Sequence, residues 1–420
     1  MYSVCVVGLG YIGLPTASLL ATKGYSVHGV DVNEEVVRAV GQGEILIREP
    51  DLDLLVKSAV NSGKLTVSTS PLTADVYIIA VPTPFKDNKA PDLRYVEEAV
   101  NGIADVVTPG SLIILESTSP VGTTERIAQW LQALRPDLRV GGMSEDDSDA
   151  RAVFVAHCPE RVLPGQILKE LVGNNRIVGG IDALSTSRAA QFYESFVSGQ
   201  VMRTHARTAE LVKLTENTSR DVNIAFANEL SLICDKLDID VWEVIRLANQ
   251  HPRVNILQPG PGVGGHCIAV DPWFIIDSVP SESVLIRTAR EVNLRKTDRV
   301  VEWVRSKADR FKAPIIACLG LAFKANIDDC RESPAMDIVQ RLVDEKVGKV
   351  LAVEPNLRAL PDSLKQYDSV ELCELNTAIQ QADIVVLLVD HRPFYKINRA
   401  LLEQKIVIDL KGVWRKGNDF

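Results

Sequence analysis

The stretch "VGGHCIAVDP" (263–272) places one cysteine, Cys267, between a glycine pair and a carboxylate, Asp271. Unpaired cysteines usually pack into cores as small hydrophobes. A thiol on a glycine loop is therefore a candidate nucleophile. Such a thiol needs a cation or base nearby to become a thiolate at neutral pH. His266 is adjacent in sequence, but neighbours on an extended loop point to opposite sides, so Lys213 is the better candidate. Lys213, Asn217 and Arg220 recur at i, i+4 and i+7, which is one face of a helix. A lysine and an asparagine there can polarise a carbonyl or stabilise an oxyanion; the same stripe also fits an ordinary solvated surface. Glu160, in "CPERVLPG" (158–165), can act as a general base if its surroundings are dry.

A second group of residues reads as binding machinery. Gly8, Gly10 and Gly13 form GxGxxG after an apolar run and before a helix-like segment, and Asp31 follows 18 residues past Gly13. The glycines permit a tight turn and close approach to a pyrophosphate, whose charge the helix N-terminus favours. An acid in that position accepts from a ribose diol and repels a 2′-phosphate, which selects NAD over NADP. The Gly/Pro-rich "PGPGVGGHC" (259–267) can present successive backbone N–H groups to a ligand. The six histidines are dispersed, with no metal-ligand spacing.

These residues need scaffolds, and 420 residues exceed one ordinary core. Residues 3–31 read as strand, glycine turn, helix, strand. The apolar runs at 74–82, 111–118 and 152–160 continue a mostly parallel sheet buried on both faces. The acidic "SEDDSD" (144–149) reads as a solvated loop. Helical spacing without Pro or Gly takes over near 206, and a further helix covers roughly 283–311. After Pro314 the opening pattern returns: "IIACLGLAFK" echoes "VCVVGLGYIG", and "ADIVVLLVD" echoes "ADVYIIAVP". The expected fold is α/β, with two doubly wound Rossmann-like domains joined by a central long-helix domain. The expected boundaries are 1–205, 206–312 and 313–420.

A formal charge of −9 and a pI near 5.4 argue against nucleic acid or an anionic membrane as partner. Mean hydropathy is +0.06, no run is long enough for a membrane span, and the N-terminus lacks a signal-peptide pattern. Seven scattered cysteines without a CxxC pair fit a reducing cytoplasm. Cys5 and Cys318, inside apolar runs, are expected in cores.

Taken together, "GLGYIGLP", "VPTP", "ESTSPVGTT", "CPER", "ELVKLTENTSR", "GPGVGGHCIAVDP" and "LGLAFKANIDDCRESPA", in that order, resemble the nucleotide-sugar 6-dehydrogenases. That family includes the UDP-glucose and GDP-mannose dehydrogenases. The resemblance implies four-electron oxidation of a sugar C6 alcohol to a carboxylate with two NAD⁺. Cys267 matches the nucleophile, Lys213 and Asn217 the oxyanion-stabilising pair, and Glu160 the base for thioester hydrolysis. Thr118 and Asp271 would order the water. Gly8, Gly10, Tyr11, Ile12, Gly13, Asp31, Thr83 and Thr124 fall at NAD contacts, with Arg331 reaching the cofactor from the second half. Phe323 and Lys324 fall where the family holds the nucleotide sugar, with Lys411 a further cation and Gly264 in the loop cradle. The "CPER" and "HPRVN" stretches resemble the N-acetylhexosamine branch, which implies a UDP-linked amino sugar, UDP-N-acetyl-D-mannosamine. Arg161, Val162, Arg220, His251 and Arg253 would contact it. Rival substrates are UDP-N-acetylglucosamine and UDP-glucose. Two other chemistries compete: single-step oxidation of a β-hydroxyacid, which needs no cysteine, and an NAD-binding module without catalysis. The long central helix implies a homodimer.

Overall fold

The computed structural model describes residues 2–47, 49–86, 88–142, 149–163, 165–265 and 267–415. His266 and the acidic tract 144–148 lie outside the described residues. The chain packs as two units: Met1–Thr215 with Trp273–Ser278, and Glu216–Pro272 with Val279–Phe420.

The first unit is built on one sheet. Its strands are β1 (Ser3–Val7), β2 (Ser26–Val30), β3 (Leu65–Ser68), β4 (Val76–Ile79), β5 (Leu112–Leu115), β6 (Arg139–Val140), β7 (Ala152–His157), β8 (Arg176–Gly180) and β9 (Val201–His205). The order is β3-β2-β1-β4-β5-β7-β8-β9, with β6 beside β7. All pairs are parallel except β7 with β8. Alternate residues of the central strands enter two cores. Val4, Val6, Ile78 and Ile114 pack with Leu14, Ala17 and Leu20 of the helix Gly13–Thr22. Cys5, Tyr77, Ile79 and Ile113 pack with Val96, Val100 and Ile103 of the helix Arg94–Ala104 on the other face. Burial on both faces is why these strands are continuous apolar runs rather than alternating ones. Chain order reverses between β1 and β4, and in doubly wound sheets ligands bind in the crevice at that point.

The second unit carries β10 (Ile315–Leu319), β11 (Lys349–Val353), β12 (Val370–Leu372), β13 (Ile384–Leu387) and β14 (Ile406–Asp409). They are parallel, in the order β12-β11-β10-β13-β14. It also holds the helices Val241–Ala248 and Val284–Ala308. The 32-residue helix Ala206–Leu237 is continuous across the residues where the two units divide.

The internal repeat extends to single bonds. The Asp75 carboxylate accepts the Ser3 N–H at 2.7 Å, and the Asp383 carboxylate accepts the Ile315 N–H at 2.9 Å. Gly8 N–H donates to the Val30 carbonyl and Gly320 N–H to the Val353 carbonyl, each at 2.8 Å.

All seven cysteines are thiols. Cys5 and Cys318 lie in the cores, where burial pushes their thiols up to about 11 and about 12. Among the described residues, no helix is long and apolar enough to cross a membrane, and no group of three or more His, Cys, Asp or Glu side chains could hold a metal ion.

Candidate active site

The turn after β1 is shaped by what its glycines exclude. Gly8 has φ of +96°, and a Cβ on Gly13 would overlap the Gly8 carbonyl, so the helix can start at Gly13 only without a side chain there. Asp31, just past β2, is drawn against this turn. Its Oδ2 accepts the Leu9 N–H and its Oδ1 the Asn33 N–H, both at 2.9 Å. Asp31 stays partly exposed, with lone pairs to spare for a ribose diol. Gly10 is exposed, and a Cβ there would meet nothing within 4 Å. Tyr11 is 41% exposed and Ile12 half-buried. An acid, open space at the turn and a helix N-terminus together fit a dinucleotide.

Other residues expected at the cofactor have protein partners. Thr83 donates to the Thr118 carbonyl at 2.5 Å. Thr124 is fully buried and donates to Glu210 at 2.6 Å, while Glu210 also takes the N–H groups of Gly122 and Thr124 at 2.6 and 2.8 Å. Glu210 thus pins the N-terminus of the helix Thr123–Leu134.

Glu160 follows β7 and faces Arg176 at the start of β8. The pair is buried, with an Nη1–Oε2 distance of 2.5 Å, and the other Glu160 oxygen accepts the Arg161 N–H at 2.6 Å. The site is dry, but its dryness raises a neighbour. Glu116, bonded to the Tyr193 hydroxyl at 2.6 Å, is pushed up to about 7 by burial and then by the charge of Glu160. Glu116 Oε2 has no partner among the described atoms. Cys158 is wholly buried here, its thiol pushed up to about 12. Arg161 spans to the Asn175 carbonyl at 2.5 Å, and Val162 packs against the first core.

Three expected residues come together in the second unit. The Cys267 carbonyl accepts the Asp271 N–H at 2.9 Å, and the buried Asp271 carboxylate accepts from Asn217 Nδ2 at 2.5 Å. Unlike Cys158, Cys267 is only half-buried. Lys213, half-buried, belongs to the first unit. Arg220, His251 and Arg253 are exposed, with the Arg253 N–H donating to His251 Nδ1 at 3.3 Å.

The glycine loop is anchored by residues that spacing alone did not single out. Asn228 accepts the Gly260 N–H at 2.9 Å and donates to Asn293, and Thr297 donates to the Pro261 carbonyl at 3.0 Å. Asn293 and Arg290 both bond Asp221, at 2.8 and 2.6 Å, and all of these side chains are buried. The available signal was polar residues standing at core positions of two apolar-spaced helices. At the loop's far end, Gly264 and Gly265 pack on Phe323, while Lys324 is exposed. Arg331 forks onto Asp329, its nearest bond 2.6 Å. Lys411 pairs with Asp390 at 3.3 Å, and a Cβ on Gly260 would lie 3.7 Å from its Nζ.

Residues 2–197 match the NAD binding domain of the UDP-glucose/GDP-mannose dehydrogenase family, 207–295 its central domain and 317–416 its UDP binding domain. The chain belongs to this family. Its members are NAD-dependent nucleotide-sugar dehydrogenases. An NDP-N-acetyl-D-galactosaminuronic acid dehydrogenase of Ralstonia nicotianae is 57% identical, over 98% of this chain and 96% of that protein. A UDP-N-acetyl-D-mannosamine dehydrogenase of Campylobacter jejuni is 54% identical, over 94% and 96%. Among solved structures, a UDP-D-ManNAc dehydrogenase from Pyrococcus horikoshii is 39% identical with a TM-score of 0.86, covering 99% of this chain and 96% of that one. Within the family match, Glu160 and Thr118 fall in the NAD binding segment. Lys213, Asn217, Cys267 and Asp271 fall in the central one, and Phe323, Lys324, Arg331 and Lys411 in the UDP binding one.

Proposed function

We propose that this dehydrogenase oxidises the C6 alcohol of UDP-N-acetyl-D-mannosamine to the carboxylate in two two-electron stages, with Cys267 as the nucleophile. The observation that carries the reading is the Cys267–Asp271–Asn217 chain of bonds, which presents a half-buried thiol on a tethered loop. The mannosamine relative and the solved structure named above support the sugar. The Ralstonia relative, at 57%, favours a second reading, an N-acetylgalactosamine nucleotide.

NAD, held at the Gly8–Gly13 turn and by Asp31, supplies the hydride acceptor for both stages. Cys267 Sγ adds to the C6 aldehyde as a thiohemiacetal, so the carbon cannot leave as its hydrate between stages. Lys213 and Asn217 stabilise the negative oxygen that forms. At the thioester level, water adds to C6 and Sγ departs, restoring the thiol. Glu160, paired with Arg176, accepts a proton from that water, which Thr118 and Asp271 orient. Phe323, Lys324 and Lys411 receive the nucleotide half, and Arg161, Val162, Arg220, His251 and Arg253 the acetamido sugar. This assigns cofactor binding to 1–205, the thiol to 206–312 and the nucleotide to 313–420.

With limiting UDP-N-acetyl-D-mannosamine and excess NAD⁺, about two NADH should form per sugar, as four-electron chemistry requires. Cys267→Ser should abolish acid formation. One NADH per sugar, or a fully active Cys267→Ser, would sink the mechanism. The N-acetylgalactosamine nucleotide as the better substrate, by kcat/KM, would select the second reading.

The protein is further proposed to work in the cytoplasm as a homodimer. Phe226, Ile233 and Leu237 of the long helix are 55%, 49% and 62% exposed. A row of large apolar side chains seeks cover. Sedimentation at the monomer mass would remove the dimer.

A further inference from the structure

The acid that follows β11 is sealed. Glu354 is 4% exposed, and its Oε2 accepts the N–H groups of Leu321 and Ala322 at 2.8 and 3.1 Å. Its Oε1 accepts the Asn356 backbone N–H and Nδ2, each at 3.1 Å. His391, wholly buried, adds Nε2 at 2.9 Å to Oε2. On its other nitrogen, His391 meets the Asn326 N–H at 2.9 Å and Asn356 Nδ2 at 3.2 Å. A backbone amide only donates, so Nδ1 must carry a lone pair. The imidazole proton then sits on Nε2, aimed at Glu354.

These bonds grip both ends of one segment. Leu321 and Ala322 are held by Glu354, and Asn326 by His391. Asn326 sits at φ of +63°, and its side chain accepts the Arg392 N–H at 2.9 Å. A non-glycine residue stays in that conformation when its surroundings fix it. Between the two grips lie Phe323 and Lys324. A Cβ on Gly265, itself at φ of +84°, would come within 2.9 Å of Phe323 Cε2, and one on Gly264 within 3.1 Å of Phe323 Cβ. Cys267 follows two residues after Gly265.

We propose that Glu354 and His391 are positioning residues for the reaction. Through the segment 321–326 they set Phe323 against Gly264–Gly265, and so set where the loop holds Cys267 and where Lys324 meets the nucleotide. This rests on the reading of Cys267 and the UDP site given above. It goes further in making a buried pair outside the reacting groups responsible for their alignment.

The test uses full-length His391→Leu, which keeps the volume and removes all three side-chain bonds, and His391→Gln, which retains a donor and an acceptor. Two readouts are taken: UDP affinity by calorimetry, and Cys267 alkylation by iodoacetamide followed at its own peptide. His391→Leu should weaken UDP about tenfold or more, equivalent to about 1.4 kcal/mol. It should raise Cys267 alkylation about threefold or more as Phe323 lifts from the loop, and leave NAD affinity within about twofold. His391→Gln should recover most of both effects. His391→Leu with wild-type UDP affinity and alkylation overturns the proposal. So does His391→Gln as impaired as His391→Leu, or a loss of NAD and UDP binding together, which marks general unfolding. Should His391→Leu not fold, Phe323→Leu carries the test, and unchanged Cys267 alkylation there overturns it. Wild-type protein that fails to bind UDP refutes the nucleotide reading instead, and the alkylation arm still judges the positioning pair.

Discussion

The two sheet domains solve the same opening differently. After β1 the chain turns through glycines and begins a helix at Gly13; after β10 it makes the same first step at Gly320, but the next helix waits until Pro334. The longer loop carries Phe323, Lys324, Asp329 and Arg331. The acids diverge with it. Asp31 takes two backbone N–H groups and stays partly exposed, whereas Glu354, in the corresponding place, is closed off by five donors. In the first domain the acid remains open to a ligand. In the second it braces a loop, and under the proposed reading that loop's side chains receive the nucleotide instead. One scaffold thus separates into two binding styles through the fate of a single carboxylate.

The sharpest way to break this comparison is to fill the matching glycines. A Cβ on Gly13 would overlap the Gly8 carbonyl, and one on Gly320, at φ of +93°, would overlap Val389. Overpacking of this kind costs about 1–3 kcal/mol and moves backbone. Gly13→Ala should therefore weaken NAD binding by about 10–100-fold and leave UDP within about twofold. Gly320→Ala should do the reverse. Gly10→Ala, in open space, should leave the melting temperature unchanged. Calorimetric titration of each ligand decides it. If either substitution weakens both ligands equally, the division into two independent binding turns fails.

Much of this division was legible. The β1 turn, Asp31, the returning pattern after Pro314 and the Cys267 loop all announce themselves by local spacing. Fully buried parallel strands and glycine turns leave marks that survive in one dimension. Edge strands do not: β9 is mostly exposed or half-exposed, and β12 is three residues long. The buried polar pairs were illegible for another reason. Glu116 and Tyr193 stand 77 residues apart, Glu354 and His391 37 apart, Asn228 and Asn293 65 apart. No period links partners brought together only by tertiary packing, so Asn228 and Asp221 stand out only as polar residues at core positions, and nothing in the spacing names what they bond. Glu160 could be found from its motif, while Arg176, which pairs with it, carries no motif.

A smaller effect tests whether surroundings, rather than burial alone, decide the fate of a sheet-edge carboxylate. Glu116 and Glu354 are both nearly inaccessible, yet they titrate in opposite directions. Glu116 has one donor and faces Glu160, so burial and that charge raise it to about 7. Burial pushes Glu354 up as well, but the His391 bond and the backbone N–H groups outweigh it and bring it below the ordinary carboxylate value. Between the ordinary value and about 7, the folded chain keeps a proton on Glu116 that the unfolded chain has lost, so this group's stability contribution falls as pH rises through that window. For Glu354 the unfolded chain holds the extra proton, so its contribution is present above the ordinary value and fades as pH falls below it. Glu116→Gln should accordingly stabilise the protein at pH 8 by about 1–3 kcal/mol, a few degrees of melting temperature, with the gain gone by pH 5. Glu354→Gln should destabilise at pH 8 by about 1–3 kcal/mol, because an amide cannot accept all five donors, and the loss should shrink toward pH 4. Thermal melts of both variants from pH 4 to 8.5 read the two slopes. If Glu116→Gln shifts the melting temperature equally at both ends, the carboxyl does not titrate in the folded protein as its surroundings require. If the two variants slope the same way, burial alone governs both acids, and the sealed donors around Glu354 are not what separates the two domains.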